Sequence, residues 1–83
     1  METETLKEKI ERWIILAEQL DEEDKSIYIK DISGNYFMGS IVLIGEEKIT
    51  LDCFAPTQRA GTREYIRWVE VSKCVEYKED FGR

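Results

Sequence analysis

The sequence predicts a mainly β, α+β fold: one N-terminal α-helix packed on five short antiparallel strands, strongly bent into a small barrel. Three observations carry that prediction. Apolar residues recur at three- and four-residue spacing across residues 3–20, the spacing that puts them on one helix face. The remainder alternates apolar and polar residues in short runs separated by polar, glycine-containing corners, the pattern of half-buried strands. One of those runs, Tyr36 to Ile44, is apolar on both faces and carries Gly39 near its middle, where a strand bends or another backbone comes close.

The elements follow in order. Leu6, Ile10, Trp13, Ile14, Ala17 and Leu20 form the helix stripe. Thr3 or Thr5 can cap its start, and Glu4 and Glu8 suit the positive end of the dipole. Ile15 and Leu16 widen the stripe; the extra apolar surface either covers the mouth of the barrel or meets a partner chain. Asp21-Glu22-Glu23-Asp24 opposes the negative end of the dipole and predicts the helix stop. This run lacks the glycine and spacing of a calcium loop and reads as a solvated linker.

Strands are expected at Ser26–Ile32, Tyr36–Ile44, Lys48–Phe54, Thr62–Trp68 and Ser72–Lys78. Ser33-Gly34-Asn35 and Gly45-Glu46-Glu47 are turns. Ala55–Gly61 is a loop around Pro56, Val69-Glu70-Val71 a single tight turn, and Glu79–Arg83 a tail. The two tryptophans, Trp13 and Trp68, are expected in the core.

Composition bounds the function. The chain has 83 residues, enough for one domain spanning 1–83 and one compact core. Its formal net charge is −6 and its pI near 4.7, which argues against coating nucleic acid by charge alone. The charge is uneven: residues 1–25 hold nine acidic and four basic side chains, whereas Gln58–Lys73 hold four basic and two acidic. There is no histidine, so the commonest general base and metal ligand is missing. Cys53 and Cys74 form no CxxC pair and sit in strand patterns, so they read as reduced core residues, with no metal site. No Gly-rich phosphate loop is present. The chain is therefore expected to be non-enzymatic and without a cofactor. It shows no signal peptide and no apolar run of about 18 residues, so a soluble, cytoplasmic protein with no membrane partner is expected.

The helix, the bent second strand and the tight turn before the fifth strand make the chain resemble SH3-like small barrels. The N-terminal helix makes it similar to the Sm-like (Lsm) family over roughly residues 3–78. Gly34, Gly39, Ile41 and Ile44 fit that family's first motif: a glycine, a bend-associated glycine, then apolar residues two and five positions on. Ile66-Arg67-Trp68 stands where the family's second motif opens with Ile-Arg-Gly. The resemblance implies a helix stacked on a five-stranded barrel, and a ring closed by the fourth strand of one subunit pairing with the fifth of the next. It also implies RNA binding. Of the family's RNA-holding residues only Arg67 carries over, because Gly45 replaces an Asp and the short Glu46-Glu47-Lys48 loop replaces a Met-Asn pair.

The strip from Gln58 to Trp68 supplies the candidate nucleic-acid site: Arg59, Arg63, Tyr65 and Arg67. In a strand, Arg63, Tyr65 and Arg67 share one face. Basic residues interleaved with an aromatic suit a single-stranded nucleic acid, charge for phosphate and a ring for stacking. The same pattern also describes a charged, soluble edge strand. The expected function is a non-catalytic Sm-like binding module, a self-assembling or partner-binding scaffold. The alternatives are RNA binding through the Arg63/Tyr65/Arg67 face and a monomeric SH3-like peptide-binding adaptor. The expected partners are further copies of the chain or another protein, with RNA the alternative.

Overall fold

A computed structural model of the chain describes residues 4–78. The helix α1 spans Leu6–Glu22 and is followed by five strands: β1 Ile27–Asp31, β2 Tyr36–Ile44, β3 Lys48–Ala55, β4 Arg63–Arg67 and β5 Val71–Glu76. Single 3-10 turns at Thr57–Arg59 and Trp68–Glu70 precede β4 and β5.

Local chemistry sets the ends of α1. Thr5 is the N-cap, and Thr3 lies outside the described residues. The Glu8 amide donates to Thr5 Oγ1 at 3.2 Å while the Glu8 carboxylate accepts from the Thr5 amide at 3.5 Å, a reciprocal capping box. Such a cap contributes about 1 kcal/mol. The helix runs two residues past the expected stop at 20, into the acidic run. What ends it is backbone geometry: Asp24 takes a left-handed φ of 59°. The Lys25 amide then reaches the Leu20 carbonyl (2.8 Å) and the Asp24 amide the Asp21 carbonyl (3.1 Å). This pair of bonds is a Schellman closure, which satisfies carbonyls that the helix end leaves open.

The sheet is antiparallel throughout, with strand order β4-β3-β2-β1-β5. The α+β architecture is as expected, but the ladder does not close into a barrel. Among the described residues β4 and β5 form the two edges and do not pair with each other. The β1–β2 corner is tied by Asp31, whose Oδ1 accepts from the Ser33 and Asn35 amides, both at 2.9 Å. Gly34 supplies the positive φ of 91°, open to glycine at little cost.

β2 bends as the sequence indicates. Its register against β3 shifts between Met38 and Gly39 and again between Ile41 and Leu43. Such shifts increase local twist. Gly39 is obligatory there: a Cβ would collide with the Asp52 carbonyl oxygen and sit 2.8 Å from Cys53 Cα.

The core lies between α1 and one face of the sheet. Trp13, Ala17 and Leu20 pack with Ile27, Ile29, Phe37, Ile49, Leu51, Ile66 and Trp68. Each fully buried Ile or Leu contributes about 1.5–3 kcal/mol. Trp68 is buried, as expected, and its indole Nε1 donates to the Gly45 carbonyl at 2.8 Å, locking the β2–β3 turn against the start of the last 3-10 turn. Cys53 and Cys74 are free, buried thiols. Among the described residues no helix is long and apolar enough to cross a membrane.

Candidate binding surfaces

Alternation along the strands sorts the side chains. In β4, Ile66 is buried inward, so Arg63, Tyr65 and Arg67 share the outer face. Across the ladder Asp52 stands opposite Arg63, Thr50 opposite Tyr65 and Lys48 opposite Arg67. Arg63 Nε donates to Asp52 Oδ1 at 2.9 Å and its Nη2 to Oδ2 at 3.4 Å, a two-pronged pair of the geometry that suits guanidinium and carboxylate. The hydrogen bond lowers the Asp52 pKa and raises that of Arg63. Arg67 Nη1 lies 3.6 Å from the Glu70 carboxylate. Tyr65 is 63% exposed, with Lys48 Nζ 5.5 Å from its ring centroid.

Arg59 does not join this face through its own strand. It sits in the 3-10 turn before β4, donates to Glu64 Oε1 at 3.1 Å and lies over the Phe37 ring at 4.5 Å. The structure thus brings Arg63, Tyr65 and Arg67 together and sets Arg59 apart. All three arginines rest against carboxylates of the same chain.

A second basic and aromatic surface lies on the outer face of β1, β2 and β5. Ile27 and Ile29 point into the core, so Tyr28 and Lys30 point out. Tyr36 and Tyr28 stack with centroids 6.3 Å apart and planes 18° from parallel. Lys30 stands opposite Tyr36 on one side and Lys73 on the other. Lys73 Nζ lies 5.9 Å from the Tyr28 centroid. Among the described residues neither Lys30 nor Lys73 has a carboxylate within 4.0 Å. Two like charges directly opposite each other disfavour the sheet slightly, and an anion would relieve them. Next to them Met38 is only 5% exposed yet stands outside the main core cluster. Tyr28 faces it in register, and Phe54 meets Tyr77 edge-on at 5.0 Å nearby. This surface was not among the sites expected from the sequence. Its one local signal is the outward alternation of Tyr28 and Lys30; Lys73 joins them only through the β1–β5 pairing.

The two edges of the sheet are a third feature. In the β3–β4 ladder the Cys53 amide donates to the Thr62 carbonyl and the Trp68 amide to the Glu47 carbonyl, each at 2.9 Å. Antiparallel pairing alternates, so Glu64 and Ile66 turn their backbone toward β3, while Arg63, Tyr65 and Arg67 turn theirs to the open side. On β5 the Tyr77 amide donates to the Ser26 carbonyl at 3.0 Å. By the same alternation Lys73 and Val75 face β1, and Cys74 and Glu76 face away.

None of these surfaces assembles a nucleophile with a base. Burial pushes the Cys53 thiol up and that of Cys74 to about 12, the opposite of what activates a cysteine. No group of three or more potential metal ligands occurs among the described residues. Neither protein-family profiles nor curated proteins give a match to this chain.

Proposed function

We propose that the chain is a non-catalytic, Sm-like binding module that assembles with copies of itself through its strand edges. The observation that carries this reading is the pair of sheet edges, β4 and β5, which do not pair with each other among the described residues. Uncovered edges invite strand addition, because their amides and carbonyls are already aligned. Neither β4 nor β5 contains proline. The Sm-like resemblance is supported by the helix-first order, by the bend at Gly39 and by the 3-10 turn before β5.

The solution mass tests it. Light scattering behind a size-exclusion column should give a stable multiple of the 9.8 kDa chain. The multiple should persist at high salt, since backbone pairing is little screened. Tyr65→Pro should reduce it to monomer with an unchanged circular dichroism spectrum, because the Tyr65 amide faces the open side and its loss spares the β3 ladder. A wild-type monomer at every concentration would end this reading.

A second reading has its own observation. Lys30 and Lys73, with no carboxylate within 4.0 Å among the described residues, stand beside the Tyr28–Tyr36 stack and favour single-stranded nucleic acid on the outer face of β1, β2 and β5. Lysine neutralises phosphate and the rings stack bases, at about 1–3 kcal/mol per base. On this reading the site is not the one built from Arg63, Tyr65 and Arg67, whose arginines are occupied by carboxylates.

A further inference from the structure

The flank of α1 forms a groove with the β2–β3 turn that neither reading uses. Leu6, Ile10 and Ile14 make its apolar floor, and Lys7, Glu11 and Glu46 its rim. The groove encloses about 680 Å³, within the range of established ligand clefts. A smaller depression continues it past Ile10 and Glu46 to Glu47 and Val69. Leu6 is 50% exposed and Val69 47%.

The rim decides the occupant. Among the described residues Glu11, Glu46 and Glu47 have no basic group within 4.0 Å. Arg67, which lines the same depression, is held at Glu70. Lys7 is the one basic side chain on the rim besides Arg67, so three carboxylates outnumber the bases, and an apolar floor beneath them attracts a cation that carries apolar side chains. Nucleic acid is repelled here. A second copy of α1 is also a poor occupant: residues 1–25 bring nine acids against four bases, and the chain carries −6.

We infer that this groove docks a cationic amphipathic segment of a partner protein. Its apolar residues fill the space over Leu6, Ile10 and Ile14, and its lysines or arginines lie over Glu11, Glu46 and Glu47. The mode is an amphipathic helix laid in a groove. It rests on α1 and the β2–β3 turn and meets the strand edges only at Arg67, the last residue of β4.

The experiment titrates the ¹⁵N-labelled full chain with a synthetic Leu/Lys amphipathic peptide, and separately with its Leu/Glu counterpart. The Leu/Lys peptide should shift the amides of Leu6–Ile14, Glu46, Glu47 and Val69, and bind more weakly as salt rises. The Leu/Glu peptide should not bind. Glu46→Lys with Glu47→Lys should weaken the Leu/Lys peptide by about tenfold, a loss of about 1.4 kcal/mol. Leu6→Ser, at a half-exposed position, should weaken it without altering the fold. Equal binding of both peptides would overturn the inference. So would shifts centred on Asp21–Asp24, or groove shifts that grow with protein concentration and no peptide, which would make a second copy the occupant. Tyr65→Pro should leave peptide binding intact, so failure of the edge assembly and failure of this groove are read separately.

Discussion

The outer face of β4 and the outer face of β1 and β5 both combine basic side chains with a tyrosine, with opposite outcomes. On β4 and its flanks, arginines meet carboxylates: Arg63 grips Asp52 with two hydrogen bonds, and Arg67 leans on Glu70. On β1 and β5, Lys30 faces Lys73 and neither finds a carboxylate among the described residues. The difference teaches that a basic strip is available to a ligand only when cross-strand register leaves it unpaired. Arginine, with a planar fork that matches a carboxylate, is the residue most readily closed off.

The largest change should come from the residue that shapes both faces. Gly39→Ala forces a Cβ into the Asp52–Cys53 backbone, and overpacking of this kind costs about 1–3 kcal/mol or more. Urea melts should show a lower midpoint, and both outer faces should lose their registers together. A variant as stable as wild type would show that the bend is not fixed at Gly39.

Next comes alkaline stability, which checks the inner side of the same strands. Burial raises the Cys74 pKa to about 12, above the ordinary thiol value of about 8.5. The stabilisation is complete below the ordinary value and is lost as pH rises through the folded one. Denaturant midpoints should fall steadily above about pH 9, and Cys74→Ala should flatten that slope. An unchanged slope would mean that Cys74 titrates as an exposed thiol.

A smaller effect separates the two faces directly. Lys30→Glu with Lys73→Glu should weaken an oligouridine at least about tenfold and reduce the salt slope by about 1.4, the value for two phosphate contacts on a single strand. Arg63→Ala with Arg67→Ala should change affinity by less than about twofold, because Arg63 and Arg67 already face Asp52 and Glu70 and would only exchange a carboxylate for a phosphate. The reverse ranking would restore the β4 face as the nucleic-acid site.

The smallest effect is at Asp52. Arg63 holds its pKa below the ordinary value, so the pair's contribution is present above about pH 3.9 and is lost as pH falls through the depressed folded value. Asp52→Asn should match wild type in acid and fall slightly below it at neutral pH, within the small range of exposed ion pairs.

Local order was legible in the sequence because it rests on near neighbours. The helix stripe, the turn at Gly34, the bounds of β2 and the bend at Gly39 all follow from periodicity and glycine chemistry within a few residues. The pairing that closes or opens a charged face was not. Asp52 and Arg63 are 11 residues apart, and they meet only through the β3–β4 register. Lys30 and Lys73 meet only through the β1–β5 ladder. The helix stop was misplaced for a different reason: the acidic run does oppose the dipole, but a Schellman closure at Asp24, whose left-handed φ is rare outside glycine, outweighs it. Barrel closure is a property of the whole sheet, and no local pattern encodes whether the last strand reaches the fourth.

Assembly through the strand edges is the central claim, and amide hydrogen exchange tests it most directly. Exchange should be followed by NMR at Arg63, Tyr65 and Arg67 on β4 and at Cys74 and Glu76 on β5, in dilute and concentrated samples. Fast exchange when dilute and protection when concentrated are expected at these alternate positions, with Glu64 and Ile66 protected throughout. Fast exchange at Arg63, Tyr65 and Arg67 at every concentration would contradict it and leave β4 as a bare edge.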